Sequence, residues 1–537
     1  MHLNIIRLYE SVECIKFAVN VSFWETIGTY SKSSAGSFCK HKLTMIDREL
    51  LLSHLVDMSD YNRWGNACSA SGNYSAKAAM LGFEVYETYS KSYLAWYAGR
   101  YYCFNGRIYE EIDPDVIKWS LVKLLQRMGV DAGVRSKYAS LLDQVRLAIK
   151  MERELKPSFN IRAFENGVVD MTTGELKPFD MQWDVLYMND YPYDPKADCP
   201  LWKSFLRQVL PERNSRLLLQ MFLGLTTMNR QKLGAKVENC LALYGNGSNG
   251  KSVINDVVRG IYGADNISTM SIGSILKDGD EGMRARCQLI GKYINYSGEV
   301  SERELFGKEA AFKSYISGEE QHARFLRGNV FTITNVPWQI FNFNNLPVTS
   351  DKSYGFFRRF LYICFNETIP ESMQNKSLGQ ELRSEYSGIL NWIIRGGKYL
   401  KQHAFRFPLS TNSERQKLYT VGLSNPLLSW TMFLRLSHSP RNDGEQFRWA
   451  KASAMKKSLD DFCEVNGFEM VTNQAFGRAM QKLGFGGQNK RRVGEGVNYK
   501  VYGFSEDIEN LLPENYNLEA YKLQEDAEFD DLSNDDI

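Results

Sequence analysis

The stretch "LALYGNGSNGKSVINDVV" (Leu241–Val258) decides how the rest of the chain is read. Its octet "GNGSNGKS" fits the pattern G-x-x-x-x-G-K-[ST], a turn that wraps backbone N–H groups around a phosphate chain. Gly245, Gly247 and Gly250 remove side-chain obstruction, Lys251 brings a cation to the outer phosphates and Ser252 offers a hydroxyl to Mg2+. Asn246, Ser248 and Asn249 complete the loop. The apolar "CLALY" before it reads as a buried strand, and "KSVINDVVRGIYG" after it as a helix whose positive end faces the same anion. Strand, loop and helix in this order predict a nucleotide site. Kinases, transporters and motors share such a loop, so its surroundings must choose among them.

At 537 residues the chain exceeds a single core, and its composition, 43% hydrophobic and 24% charged, is that of a globular protein. No window of about 18 apolar residues is free of charge, and the N-terminus lacks a signal-peptide pattern. No membrane partner is therefore expected, and the expected location is the cytoplasm, a host's if the chain is viral. The nine cysteines form no C-x-x-C pair, which leaves a zinc ribbon without ligands. The net charge of +2 hides an asymmetry, because Gln524–Ile537 carries seven acidic residues and no basic one. The remaining body is positive, which is compatible with a polyanion partner.

Elements around the loop follow from turn and helix signals. "YLAWYAGRYYCFNGRIYEEI" reads as two short strands around the turn Asn105-Gly106, and Asp113-Pro114 as a helix start. "FENGVVDMTTGELKPFD" reads as a hairpin turning at Thr173-Gly174, and "DCPLWKSFLRQVLPERNSRLLLQMFLGLTT" as two helices broken at Pro211. "KYINYSGE" and "VFTITN" are two further short strands, and a helix closes the block at Gly396-Gly397. Beyond "NPLLSW" come two amphipathic helices, the second capped by Thr472, and then a basic two-stranded wing.

A phosphate loop needs a carboxylate at the tip of a neighbouring strand. Glu299 follows such a strand, 48 residues beyond Lys251, with Glu302 and Glu304 as competitors. "VFTITNVP" ends a strand in Asn335, whose amide would reach a γ-phosphate or an attacking water; a turn-forming Asn before Val336-Pro337 is the plainer alternative. Arg358 and Arg359 precede an apolar strand, where one guanidinium would serve a neighbouring subunit's nucleotide as an arginine finger. Spacing does not separate the two arginines, and a solvated pair capping a strand is equally natural.

"YGNGSNGKS", "SGE", "FTITNVP" and "SDKSYGFFRRF", taken in order, resemble the superfamily-3 helicases of viruses, phages and plasmids, in the branch joined to poxvirus and phage primase–helicases. The resemblance covers about Tyr93 to Tyr399. It implies an α/β fold: an AAA+-like P-loop ATPase core with a helical N-terminal collar and a C-terminal winged-helix-like domain. It further implies ATP and Mg2+ as cofactors, a homo-oligomer, commonly a hexamer, around single-stranded or forked DNA, and 3′-to-5′ movement. By position, Lys251 and Ser252 serve phosphate and metal, Glu299 the metal-linked base, Asn335 the sensor, and Arg358 or Arg359 the finger. Gly298 departs from the pattern, since many members carry an acid there. The family's DNA-contacting hairpin falls on "SYISGEEQHARFLRGN", with His322, Arg324 and Arg327 as candidates.

Lys490, Arg491 and Arg492 lie where a wing would meet phosphate, or on a merely charged hairpin tip. The acidic end reads as a disordered tail, with Phe529 and Ile537 as a hint of docking to another replication protein. The expected division is residues 1–90 of unassigned role, 91–232 collar, 233–400 ATPase core, 401–510 winged-helix-like domain and 511–537 tail. No paired carboxylates or zinc ribbon mark a primase in the N-terminal part. The expected activity is ATP-dependent DNA unwinding in replication of a phage or related element. Its rivals are an initiator or loader ATPase without processive unwinding, and a small-molecule P-loop kinase.

Overall fold

The computed structural model describes residues 94–118, 122 and 135–537, except 246, 248, 327, 345–346, 348, 352, 486–489, 494–495, 504–511, 524–528 and 530–536. The expectations for residues 1–90 and for Asn246, Ser248 and Arg327 lie outside the described residues. The chain divides into two compact units, the first ending at Lys156 and the second comprising Pro157–Ile537 together with Gly106–Ile108. This division falls inside the stretch expected to form one collar at 91–232.

In the first unit β1 (Leu94–Tyr97), β2 (Arg100–Phe104) and β3 (Tyr109–Ile112) form an antiparallel meander. Pro114 opens a helical turn, and the Asp113 carboxylate accepts the Asp115 N–H at 2.8 Å, as the Asp-Pro start predicts. Helix α1 (Arg135–Glu152) follows, and the chain after it bonds β1 through Trp96 N–H to Arg153 O at 2.9 Å.

The second unit begins with the antiparallel strands β4 (Ile161–Phe164), β5 (Gly167–Asp170) and β6 (Glu175–Lys177), turning at Thr173-Gly174 as expected. Helices α2 (Pro200–Val209) and α3 (Arg213–Leu225) flank Pro211. Then comes β7 (Cys240–Tyr244), the loop, α4 (Lys251–Tyr262), β8 (Ile267–Ser268), α5 (Ile272–Ile275), α6 (Gly279–Arg286) and β9 (Ile294–Glu299). Helix α7 (Glu309–Ile316), a hairpin of β10 (Gln321–Arg324) and β11 (Val330–Ile333), β12 (Trp338–Phe343), α8 (Tyr354–Phe357) and β13 (Phe360–Cys364) complete the block.

Five of these strands form one parallel sheet in the order β13-β7-β12-β9-β8. Parallel strands need covered faces, and the sequences comply: β7 is buried at four of its five residues and β12 at five of six. Between β9 and β12 the interior is polar but satisfied. Asn295 donates to Gln339 Oε1 at 2.9 Å and to Met270 O at 3.1 Å, and Ser297 donates to Met270 O at 2.9 Å. Such a network fixes the register that apolar contacts alone leave open.

Helix α9 (Leu378–Arg383) leads into α10 (Tyr386–Gln402), which packs along α3. Here a sequence expectation is corrected: Gly396-Gly397 does not end the helix. A Cβ on Gly224 would stand 2.1 Å from Gly397 N, and one on Gly396 would stand 2.3 Å from Gln220 O. The glycines bring two helix backbones together, and that contact offsets their low helix propensity. Helices α2, α3 and α10 share one core with the sheet, in which Trp202, Leu218 and Trp392 pack with Leu241, Ile254 and Ile340.

Helices α11 (Thr411–Ser424) and α12 (Pro426–Phe433) lead to a C-terminal module. It comprises β14 (Arg448–Lys451), α13 (Ala452–Asn466), α14 (Asn473–Lys482), β15 (Lys490–Val493) and β16 (Gly496–Val501), with sheet order β14-β16-β15. The Thr472 hydroxyl accepts the Ala475 N–H at 3.3 Å, so the expected cap forms. β15 and β16 pair antiparallel as the wing pattern predicts, and β14 adds a third strand. Trp430, Leu459, Phe462 and Met480 fill the module's core, joined by Tyr516 and Leu518. The module therefore extends past residue 511, where a tail was expected to begin. Phe529 and Ile537, read as docking residues, are instead 1% and 0% exposed within the core around the sheet. Phe529 stacks on His403 at 4.7 Å, and its carbonyl accepts from Arg213 at 2.9 Å.

Candidate functional site

The loop sits at the C-terminal tip of β7, between β13 and β12. From β7 the chain crosses to β8 at the far edge and works back through β9 and β12 before passing β7 to reach β13. That reversal opens a crevice beyond the strand tips, the usual ligand position in open parallel sheets. A cavity of about 590 Å³ lies there, lined by Gly247, Asn249, Gly250, Lys251, Ser252 and Gly298, among others.

Two of the loop glycines are required by close approach and positive φ, whereas a Cβ at Gly247 would meet nothing within 4 Å among the described residues. Gly245 has φ 154°, and a Cβ there would meet Asn249 Nδ2 at 2.5 Å and Phe365 O at 2.6 Å. Gly250 has φ 91°, and a Cβ there would press on Phe205 at 3.0 Å. Gly250 caps α4 without a side-chain hydrogen bond, so the first-turn N–H groups keep their capacity for an anion. Lys251 is 7% exposed, and its ammonium bonds Gly245 O and, at 3.3 Å, Asn249 Oδ1. Burial lowers its pKa. Ser252 is exposed in the same turn.

Glu299 is placed by its backbone at the tip of β9. Register puts it opposite Asn342 of β12, which on its other side faces Leu243 of β7. Two strand spacings, roughly 10 Å, therefore separate Glu299 from the loop strand. The ladder shifts between Phe341 and Asn342, so Ser297 and Glu299 pair with consecutive residues and Gly298 is the extra one. A bulge re-aims the residues beside it, so the position before Glu299 is displaced from the ladder. The competing acids lie elsewhere. Glu304 accepts the Gly273 N–H at 2.8 Å and the Ser301 N–H at 3.2 Å, and Glu302 is exposed and outside the cavity lining.

Asn335 requires a correction. "VFTI" pairs with Gln321–Arg324 in the separate hairpin, and the central strand is "WQIFNF". Asn335 therefore precedes the N-terminal end of β12, while the loop lies beyond the C-terminal end of its neighbour. The polar tips that line the cavity are Asn342 and Asn344, with the Asn342 amide oxygen accepting from Tyr296 Oη at 3.1 Å. The signal was present as an apolar strand ending in Asn-rich sequence, but "VFTITN" presented the same pattern first. The reading also missed Phe205 and Leu201 of α2 and Ile369 and Leu378 after β13, which give the cavity an apolar flank.

Arg358 and Arg359 lie before β13, at the end of the sheet remote from the loop of the same chain. The structure separates them. Arg359 is 7% exposed, donates to Ser317 Oγ at 3.0 Å and to Gly355 O, and stands 3.7 Å from Glu238. Arg358 is exposed and pairs with Glu238. Burial would raise the Glu238 carboxyl, but hydrogen bonds from Ser317, Lys236 and Arg358 pull it down to about 2. His322 is exposed on β10, and Arg324 pairs with Asp280 at 3.3 Å. Phe325 and Leu326 at the same hairpin are 37% and 73% exposed. Lys490, Arg491 and Arg492 are placed by backbone on β15, opposite Tyr499, Asn498 and Val497.

Residues 99–211 match a family described as "D5 N terminal like", and residues 243–359 match a "Family of unknown function (DUF5906)". The second match spans the loop, Glu299 and both arginines. Among solved structures, an apo C-terminal region of NrS-1 is 13% identical, covering 78% of this chain and 98% of that one at a TM-score of 0.41. An apo structure of its residues 305–718 is 14% identical, covering 79% and 99% at 0.41. Likenesses at that level carry no argument about this chain. No helix among the described residues is long and apolar enough to cross a membrane.

Proposed function

We propose that the chain is an ATP-driven DNA motor of the superfamily-3 type, an AAA+-like helicase acting in replication of a phage or related mobile element. One observation carries the reading: a phosphate loop with polar strand tips stands at one end of the parallel sheet, and Arg358 stands at the other. A strand of five residues spans roughly 16 Å, so Arg358 cannot serve its own chain's cradle. It serves a neighbour's, which calls for a ring or other head-to-tail oligomer. The match of residues 99–211 to the D5 N terminal-like family supports the replication context.

The loop and the first turn of α4 hold the phosphates of ATP, and the apolar flank from Phe205 to Leu378 receives the base. Mg2+ would be held by Ser252 with the help of Glu299, and when bound it neutralises charge on the outer phosphates. The cradle fits: Gly245 and Gly250 admit no Cβ, and its helix end lacks a side-chain cap. Glu299 accepts the proton of the attacking water. Asn342 or Asn344 orients that water and the γ-phosphate, while Tyr296 holds the Asn342 oxygen and leaves its NH2 for the ligand. Arg358 of the next subunit stabilises the developing charge. The β10–β11 hairpin, with His322, Arg324 and exposed Phe325 and Leu326, faces the translocating strand, and the winged-helix-like module assists through its basic β15.

The test is ATP hydrolysis with and without single-stranded DNA, in wild type and Lys251→Ala. Strong stimulation abolished in the variant is expected. Hydrolysis indifferent to DNA would remove the motor reading in favour of a small-molecule kinase. Stimulation without strand displacement would reduce it to an initiator or loader.

A further inference from the structure

The outer face of the β14–β16 pair serves neither ATP hydrolysis nor the β15 wing. Strand residues alternate between faces, and here Ala450, Tyr499 and Val501 turn to the module's core. The opposite face carries Trp449 across from Lys500, and Lys451 across from Asn498. Phe447, one residue before β14, continues this face beside Tyr502, with ring centroids 6.0 Å apart. Phe447 and Trp449 meet edge to face at 5.9 Å and remain 43% and 38% exposed. Lys500 places its ammonium 4.1 Å from the Phe447 ring centre and 5.3 Å from that of Tyr502.

Two large aromatic rings at this exposure are expensive to leave in water without a use. The three strands, "RWAK", "KRRV" and "GVNYKV", contain six basic residues and no acidic one. The carboxylate just upstream, Glu445, is engaged by the Arg441 N–H. A protein partner of acidic character would satisfy the charge but not the exposed ring pair. Unpaired bases satisfy both, since they stack on aromatic faces while their phosphates meet the lysines. Duplex DNA hides its base faces and offers only the second contact.

We propose that Phe447 and Trp449, with Lys451 and Lys500, form a stacking platform for single-stranded nucleic acid on the outer face of this sheet. It is separate from the nucleotide cradle and needs no ATP. It is also distinct from the β15 wing, because it stands on the β14 edge and reads bases as planes.

The experiment is fluorescence anisotropy of labelled oligothymidine and of a duplex of equal length, with the full chain and no nucleotide. Variants are Trp449→Ala, Trp449→Phe and Lys500→Ala, each checked for an unchanged melting transition. Loss of one stacking contact means that Trp449→Ala is expected to weaken oligothymidine binding by about fivefold to a hundredfold. Trp449→Phe should restore it, duplex binding should not move, and Lys500→Ala should flatten the salt dependence. A 5-iodouracil oligonucleotide should crosslink to the peptide holding Phe447 and Trp449. Absence of that crosslink, or equal weakening of single strand and duplex by Trp449→Ala, overturns the proposal. Oligothymidine affinity unchanged in a Phe447→Ala, Trp449→Ala double variant also overturns it and assigns the face to a protein. Lys251→Ala should bind oligothymidine normally here, so failure of the platform and failure of the ATPase reading are distinguishable.

Discussion

Glu238 and Arg358 form an ion pair across the N-terminal ends of β7 and β13, at the end of the sheet remote from the glycine loop. The same carboxylate lies beside the buried Arg359 and accepts from Ser317 Oγ at 2.8 Å. One acid thus holds two adjacent arginines in different states: one packed, one presented at the surface. That division of labour is what the dipeptide alone left undetermined.

Arg358→Ala is expected to leave folding intact and to reduce DNA-stimulated hydrolysis by about a thousandfold, the lower range for a lost arginine finger. Mixing Arg358→Ala with Lys251→Ala chains should recover part of the activity, because one shared site then has an intact lysine and an intact arginine. Arg359→Ala should instead destabilise the fold, by about 3 kcal/mol for a broken buried pair. Denaturant midpoints and mixed-chain turnover check both.

Acid stability should report Glu238. Its folded pKa is depressed from 4.5 to about 2, so its ionised form stabilises the fold fully above pH 4.5. That stabilisation is lost as pH falls towards 2, because protonation releases the bonds from Ser317 and Arg358. Glu238→Gln should be less stable at neutral pH and should show a flatter decline across that window in thermal melts.

The three asparagines should separate cleanly. Asn344→Ala and Asn342→Ala are expected to lower hydrolysis by about a hundredfold, the usual loss for one oriented hydrogen-bond donor. Asn335→Ala should stay within about twofold of wild type by the same standard. Equal losses at all three positions would return the sensor role to the hairpin.

Gly298 and Gly250 should respond in opposite ways. Among the described residues no atom lies within 4 Å of a Cβ at Gly298, so Gly298→Asp should fold normally and lower the Mg2+ concentration for half-maximal hydrolysis. Gly250→Ala places a Cβ at positive φ against Phe205 and should lose nucleotide binding, read by fluorescent-nucleotide titration.

Helix contact makes a last contrast. Gly224→Ala and Gly396→Ala drive a Cβ into the backbone of the facing helix and should cost about 3 kcal/mol or more by overpacking. Gly477→Ala on α14 meets nothing within 4 Å and should stabilise by about 0.5–1 kcal/mol. Urea midpoints decide between them.

The local pieces were legible from neighbouring residues alone: the loop with its strand and helix, the helix break at Pro211, the hairpin turn at Thr173-Gly174 and the cap at Thr472. Each rests on chemistry between residues a few positions apart, where turn geometry and capping leave little choice. The sequence also placed Glu299 after a strand, because that strand has no rival nearby. Only the tertiary structure decided which strands share a sheet. "VFTI" and "WQIFNF" are both short and apolar with asparagine at or just beyond the C-terminal end, and only the tertiary pairing sends one to a hairpin and the other beside β7. The sensor assignment moved with that pairing. The roles of Arg358 and Arg359 depended likewise on Glu238, 120 residues away, and the fate of Phe529 on a core built from α3 and α10. Contacts across such distances are fixed by burial and register, which no local pattern records.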